Sequence, residues 1–322
     1  MIKKSLIIFI VLFISYNLFI IHVKPETITQ DNWHKNRIQA QEYLYNDNKP
    51  IAIAIAGTSL SAGLFGNLLP ENTYNLAMGG QSTIDGLEIV KNKNRKPDIL
   101  LIEINFIYTE RSAQFLDNLF LPGLYMARKI FPALRDKYRA SSIAETTLSS
   151  IKQHLYKYLN KYISDSKATS SVKLENKKKM KNKFDAVQIK KENAVKVIPA
   201  LFEMNLNRMV HLSEAIPPEK IITNKKKILT DYKNYFERFG VQIILFEMPV
   251  HEKLVHSKKA THIRKMMFEI FPPDRFRYIL PDNAAKFNTT DGIHLTPHSM
   301  MNYTLFLTNN LNKIRLPRYN ID

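Results

Sequence analysis

The run Ile51-Ala52-Ile53-Ala54-Ile55-Ala56 constrains this chain more than any other feature. A strand with one face in water alternates apolar and polar residues. A run with no polar position suits a strand covered on both faces, as in a parallel sheet between helical layers. Ile99 to Phe106 (ILLIEINF), introduced by Pro97-Asp98, is the strongest strand signal in the chain. Val241 to Met248 (VQIILFEM) is another strand, which follows Phe239-Gly240 and stops at Pro249. Tyr74 to Ala77 is a shorter strand ending at Gly79-Gly80. Helices are expected between them, at 83–92 and 224–239. A last helix is expected from about Pro297 to Leu311, since proline is tolerated in a first turn. The fold class is α/β, and 322 residues suffice for a large core.

The other end of the chain has different chemistry. Lys3 and Lys4 precede Ser5 to Val23, a run without formal charge and rich in Leu, Ile, Phe and Val. As a helix at about 1.5 Å per residue it matches the roughly 30 Å hydrocarbon core of a bilayer. It is long for a signal-peptide core, and Lys24-Pro25-Glu26 follows in place of a small-x-small cleavage site. Tyr16, Asn17 and His22 weaken the span. The basic N-terminal side favours that end in the cytoplasm. Residues 1–24 are therefore expected to be an uncleaved single-pass anchor, 25–50 a stalk carrying the single Trp33, and 51–322 a domain outside the cytoplasmic membrane, periplasmic or extracellular.

Residues 110–230 break the α/β rhythm and read as a helical insertion. They hold 24 Lys and Arg against 11 Asp and Glu, most of the chain's net charge of +18. Their lysine-rich middle, 173–183, reads as a mobile, low-complexity loop. Such charge attracts anionic lipid, acidic glycan or nucleic acid. The most basic part lacks interleaved aromatic residues, and the expected topology keeps it from cytoplasmic nucleic acid, so no nucleic-acid partner is expected. With no cysteine, disulfides and thiolate metal sites are excluded. His251-Glu252 followed by His256 has the wrong spacing for a helical zinc motif. No metal or organic cofactor is expected.

Two segments carry candidate chemistry. Gly57-Thr58-Ser59 directly follows the first apolar run, where side chains at the carboxyl end of a parallel strand enter the ligand crevice of an α/β sheet. Asp291-Gly292-Ile293-His294-Leu295-Thr296-Pro297 puts an aspartate three residues before a histidine in a turn ahead of the last helix. An aspartate can orient the imidazole through one ring nitrogen while the other takes a proton from Ser59. Glu103 and Glu247 lie on strands and receive no role.

These segments resemble the SGNH hydrolase superfamily, the GDSL esterases and lipases. Gly57-Thr58-Ser59-Leu60-Ser61 is similar to the family's first block, with Thr58 in place of the usual Asp. Asn75-Leu76-Ala77-Met78-Gly79-Gly80-Gln81-Ser82-Thr83 resembles the second, and the late Asp-x-x-His matches well. The third block departs: Leu101-Ile102-Glu103-Ile104-Asn105-Phe106 lacks the Gly and the second Asp, and its Asn105 comes early.

The resemblance implies a three-layer α/β/α domain with a mainly parallel, flavodoxin-like sheet. It implies a triad of Ser59, His294 and Asp291, with an oxyanion hole from Ser59, Gly80 and Asn105. The implied activity is acyl-ester hydrolysis or O-acetyl transfer on an ester-bearing glycan or lipid, with cell-surface polysaccharide favoured. A membrane acyltransferase is an expected partner. The alternative is a non-catalytic module of the same fold that binds glycan or assists such an acyltransferase.

Overall fold

The computed structural model describes residues 2–25, 27, 31–46, 50–167 and 198–314; the lysine-rich 173–183 lies outside them. The chain divides into two compact units, Met1–Tyr45 with Gln114–Val187, and Asn46–Ala113 with Gln188–Asp322.

The second unit is the α/β domain. Its five strands are β1 (Ile53–Ala56), β2 (Thr73–Asn75), β3 (Ile99–Glu103), β4 (Gln242–Phe246) and β5 (Arg277–Ile279). They lie in the order β2-β1-β3-β4-β5, and every neighbouring pair is parallel. This is the flavodoxin-like order, in which the winding reverses between β1 and β3 and leaves a crevice beyond their carboxyl ends. Every residue of β1 and β3 is buried, as the unbroken apolar runs require.

The two faces of β1 do different work. Ile53 and Ile55 join a core with Leu101, Ile244, Phe246 and the last helix, Pro297–Asn312, through Tyr303, Leu307 and Leu311. Ala54 and Ala56 point to the opposite face. There the helix Thr83–Asn92 comes so close that a Cβ on Gly86 would lie 3.1 Å from the Ala56 Cβ. Alternating Ile and Ala therefore encodes two neighbours at different distances.

Three expectations change. The third strand ends at Glu103, which leaves Asn105 in the following turn. A fifth strand, β5, appears where none was read. The interval 110–230 is not one insertion, because the helices Pro199–Glu214 and Glu219–Arg238 belong to the α/β unit. Leu206, Leu229 and Phe236 account for this: each is a buried apolar residue on one of those helices.

In the first unit, the apolar helix Ile2–Val23 is long and apolar enough to cross a membrane, and only 11% of its most apolar stretch is covered by protein. The expected stalk contains the helix Asn32–Tyr45, whose Arg37 and Gln41 bind Asp136. The helices Ala113–Leu119, Pro122–Ile130 and Ala140–Lys167 complete what is described of this unit.

Candidate active site

The chain leaves β1 at Ala56 and turns at once into a short helix, Ser59–Ala62, capped by Thr58, whose hydroxyl accepts from the Leu60 amide. Gly57 is required by crowding, since a Cβ there would meet the Ser61 Oγ at 2.1 Å and the Glu103 Oε2 at 2.7 Å. Ser59 begins the helix, half-buried, where the first amides have no intrahelical acceptor.

Glu103 supports this turn and had no role in the sequence reading. Its carboxyl is fully buried at the end of β3. Oε2 accepts from the Thr58 amide at 2.9 Å and the Ser61 hydroxyl at 2.5 Å, while Oε1 pairs with the Thr58 hydroxyl at 2.7 Å. Burial pushes the Glu103 carboxyl above the usual range, against the lowering effect of its bonds to Ser61 and Thr58. A carboxyl in an otherwise apolar strand was the signal, because a buried acid must find partners.

The histidine arrives on a hairpin-like loop. Thr289 and Leu295 form an antiparallel bridge, the Thr290 amide donates to the His294 carbonyl at 2.7 Å, and the Thr296 amide donates to Asn288 at 2.9 Å. Inside this loop, Asp291 Oδ1 accepts from the backbone amides of Ile293 (3.1 Å) and His294 (2.8 Å). Its Oδ2 is 2.7 Å from the His294 Nδ1. Burial acts to raise the Asp291 carboxyl, but the His294 amide, the imidazole and the Ile293 amide outweigh it and hold it below the usual range. Gly292 has φ +94°, and a Cβ there would sit 3.0 Å from the Leu206 Cδ1. Only glycine suits that backbone at such an approach.

Folding brings the two segments together: Ser59 Oγ lies 2.9 Å from His294 Nε2, across 235 positions of sequence. Serine, histidine and aspartate therefore stand in one continuous hydrogen-bonded line. With Asp291 ionised, the Nδ1 proton faces the carboxylate and Nε2 is left to accept from the serine.

Gly80 occupies a tight turn with φ +76°, closed by the Gln81 amide donating to Met78. Asn75 ties the second block to the first, because its side-chain amide donates to the Ser61 carbonyl at 2.8 Å and its oxygen accepts from Ala77. Asn105 is held elsewhere. Its oxygen accepts from the Met248 amide at 2.7 Å and its nitrogen donates to the Met248 carbonyl at 2.8 Å. That pairing staples the ends of β3 and β4 and leaves one N–H of the side-chain amide to spare. Glu247, the other strand acid, is bound two-pronged by Arg264 at 2.9 and 2.5 Å. His298 is exposed beside Asn302.

Comparison with models of protein families, with curated proteins and with solved structures returned no match.

Proposed function

We propose that this chain is a serine-dependent acyl-ester hydrolase or O-acyltransferase of the SGNH type. The line Ser59 Oγ–His294 Nε2 and His294 Nδ1–Asp291 Oδ2 supports this reading most directly. His294 takes the Ser59 proton as Oγ attacks the ester carbonyl carbon. Asp291 holds the imidazole and stabilises its cation. Collapse of the oxyanion breaks the ester C–O bond; the leaving alcohol takes the proton from His294 and the acyl group remains on Ser59. Water as acceptor then makes the protein an esterase, and a sugar hydroxyl makes it a transferase. The acceptor oxygen bonds to the acyl carbon as its proton passes to His294; the acyl–Ser59 bond breaks and His294 returns that proton to Ser59 Oγ. The amides of Ser59 and Gly80 are assigned to the oxyanion, with the spare N–H of Asn105 as a third donor.

By the same resemblance, the substrate class is an ester-bearing glycan at the cell surface. Residues 5–23 anchor the chain, with Lys3 and Lys4 on the cytoplasmic side and the α/β unit outside.

One observation favours a second reading, a non-catalytic glycan-binding or acyltransferase-assisting module: the Asn105 side chain is committed to Met248. Missing an oxyanion donor costs on the order of 100–1000-fold in rate. Full-length protein in detergent should hydrolyse an activated acetyl ester and take a fluorophosphonate label. Both signals should vanish in Ser59→Ala. A folded wild type that shows neither would sink the enzyme reading and leave the module.

A further inference from the structure

The helix Pro122–Ile130 is built inside out. Its charged Arg128 is 2% exposed, and the guanidinium donates to the carbonyls of Asn118 (3.2 Å) and Leu134 (3.4 Å) and pairs with Asp136. Apart from Lys129 its outward residues carry no charge: Met126 is 55% exposed and Ile130 66%, flanked by Leu121 at 54% and Phe131 at 38%. Pro122, Met126 and Ile130 share one face of the helix by their spacing of four. A helix in water places its charge outward and its apolar stripe inward. This one does the reverse.

Its neighbour explains the inversion. The turn after it, 131–138, packs against the apolar helix Ile2–Val23 within the same compact unit. The Phe13 and Phe131 rings meet edge to face at 5.3 Å, and the Tyr16 hydroxyl donates to the Tyr138 carbonyl at 2.7 Å. Asn17 Oδ1 accepts from the Ala133 amide at 3.2 Å. Tyr16 and Asn17 are two of the residues that weaken a membrane span in the sequence, and both serve here as attachment points. Phe13 lies ten residues before Val23, about 15 Å down the helix, or half of a hydrocarbon core of about 30 Å.

Backbone inside a bilayer must have its polar groups satisfied, and the amides from Phe131 to Asp136 meet that condition. The Phe131 amide donates to Ala127, Leu134 to Phe131, and Arg135 to Pro132. Pro132 has no N–H. The remaining amide, Ala133, is the one Asn17 accepts. Asp136 closes the protein side, with its amide on Gln41 and its carboxylate on Arg37 and Arg139.

We propose that residues 121–135 form a re-entrant turn buried in the outer half of the bilayer, seated against the anchor helix, with lipid acyl chains covering Leu121, Met126, Ile130 and Phe131. The proposal rests on the reading of residues 5–23 as a membrane span. The occupant is lipid because the exposed face continues the lipid-facing surface of the anchor.

The absence of cysteine makes the test clean. Full-length Met126→Cys, Ile130→Cys and, as a reference within the span, Phe9→Cys would carry a nitroxide in phosphatidylcholine–phosphatidylglycerol vesicles. Collision with oxygen and with a water-soluble nickel chelate then reports depth. The expected result is high oxygen and low nickel accessibility at all three positions. Low nickel accessibility at Phe9 with free nickel access at 126 and 130 would overturn the turn and keep the anchor. Nickel access at all three would remove the anchor as well. Protection of 126 and 130 from both reagents would put another protein surface there and overturn the lipid assignment.

Discussion

The two halves of the candidate site are held by opposite means. Ser59 stands on a turn supported from beneath by the fully buried Glu103, between strands with no exposed residue. His294 and Asp291 sit on a loop with about a third of each side chain exposed, ordered by hydrogen bonds among residues 288–296 and by the His251 amide on the Gly292 carbonyl. The Ser59 half is fixed by the sheet and the His294–Asp291 half mainly by its own loop. Substitutions in the first should therefore cost folding, and those in the second should cost turnover.

The largest effect tests the loop half. Asp291→Asn should lower kcat by about 10⁴-fold, because the amide no longer holds the Nδ1 proton in place, with little change in melting temperature. An equal collapse of melting would erase the contrast. A pH series sharpens it. The Asp291 carboxyl is held below its ordinary 3.8, so its stabilising contribution should be full above that value and shrink as pH falls below it. The difference in stability between wild type and Asp291→Asn should follow that course.

Next comes the sheet half. Glu103→Ala orphans the Thr58 amide and the hydroxyls of Thr58 and Ser61. At roughly 1–3 kcal/mol per buried unpaired group, the loss should reach about 3–5 kcal/mol in denaturant unfolding. Glu103→Gln keeps an acceptor for the Thr58 amide and should fold. Because burial raises the Glu103 carboxyl above its ordinary 4.5, the folded state binds that proton more tightly, and wild-type stability should fall as pH rises past 4.5. Glu103→Gln, which has no proton to lose, should gain on the wild type over that range. A flat difference would show the carboxyl titrating as it does in water.

The smallest effect lies where the loop touches a helix. Gly292→Ala meets a positive φ and the Leu206 side chain. It should cost about 1–2 kcal/mol of strain and reduce kcat by displacing His294. A stability loss with unchanged kcat would show that the loop tolerates movement.

Much of this was legible in the chain. Ser59, Asp291 and His294 were readable because their signals are local: a buried strand that ends at a glycine, and an aspartate three residues before a histidine. Strands buried on both faces announced a parallel sheet. The edge strand Arg277–Ile279 did not, since three residues with an exposed arginine carry no period. Glu103 signalled only that a buried acid needs partners; which ones it finds was not legible, because they lie 42 and 45 positions away. The pairing of Asn105 with Met248 was not legible because β3 ends before it, and only the register with β4 brings the two together. Tyr16 and Asn17 looked like flaws in an apolar run until their partners, more than a hundred residues on, were known.

Thr58 and Glu103, 45 positions apart, close one buried gap together, with the carboxyl offered to both the amide and the hydroxyl of the threonine. The two positions therefore cannot be altered independently: an aspartate introduced at 58 should be tolerated only beside a neutral residue at 103, since two acids would share a dry space sized for one.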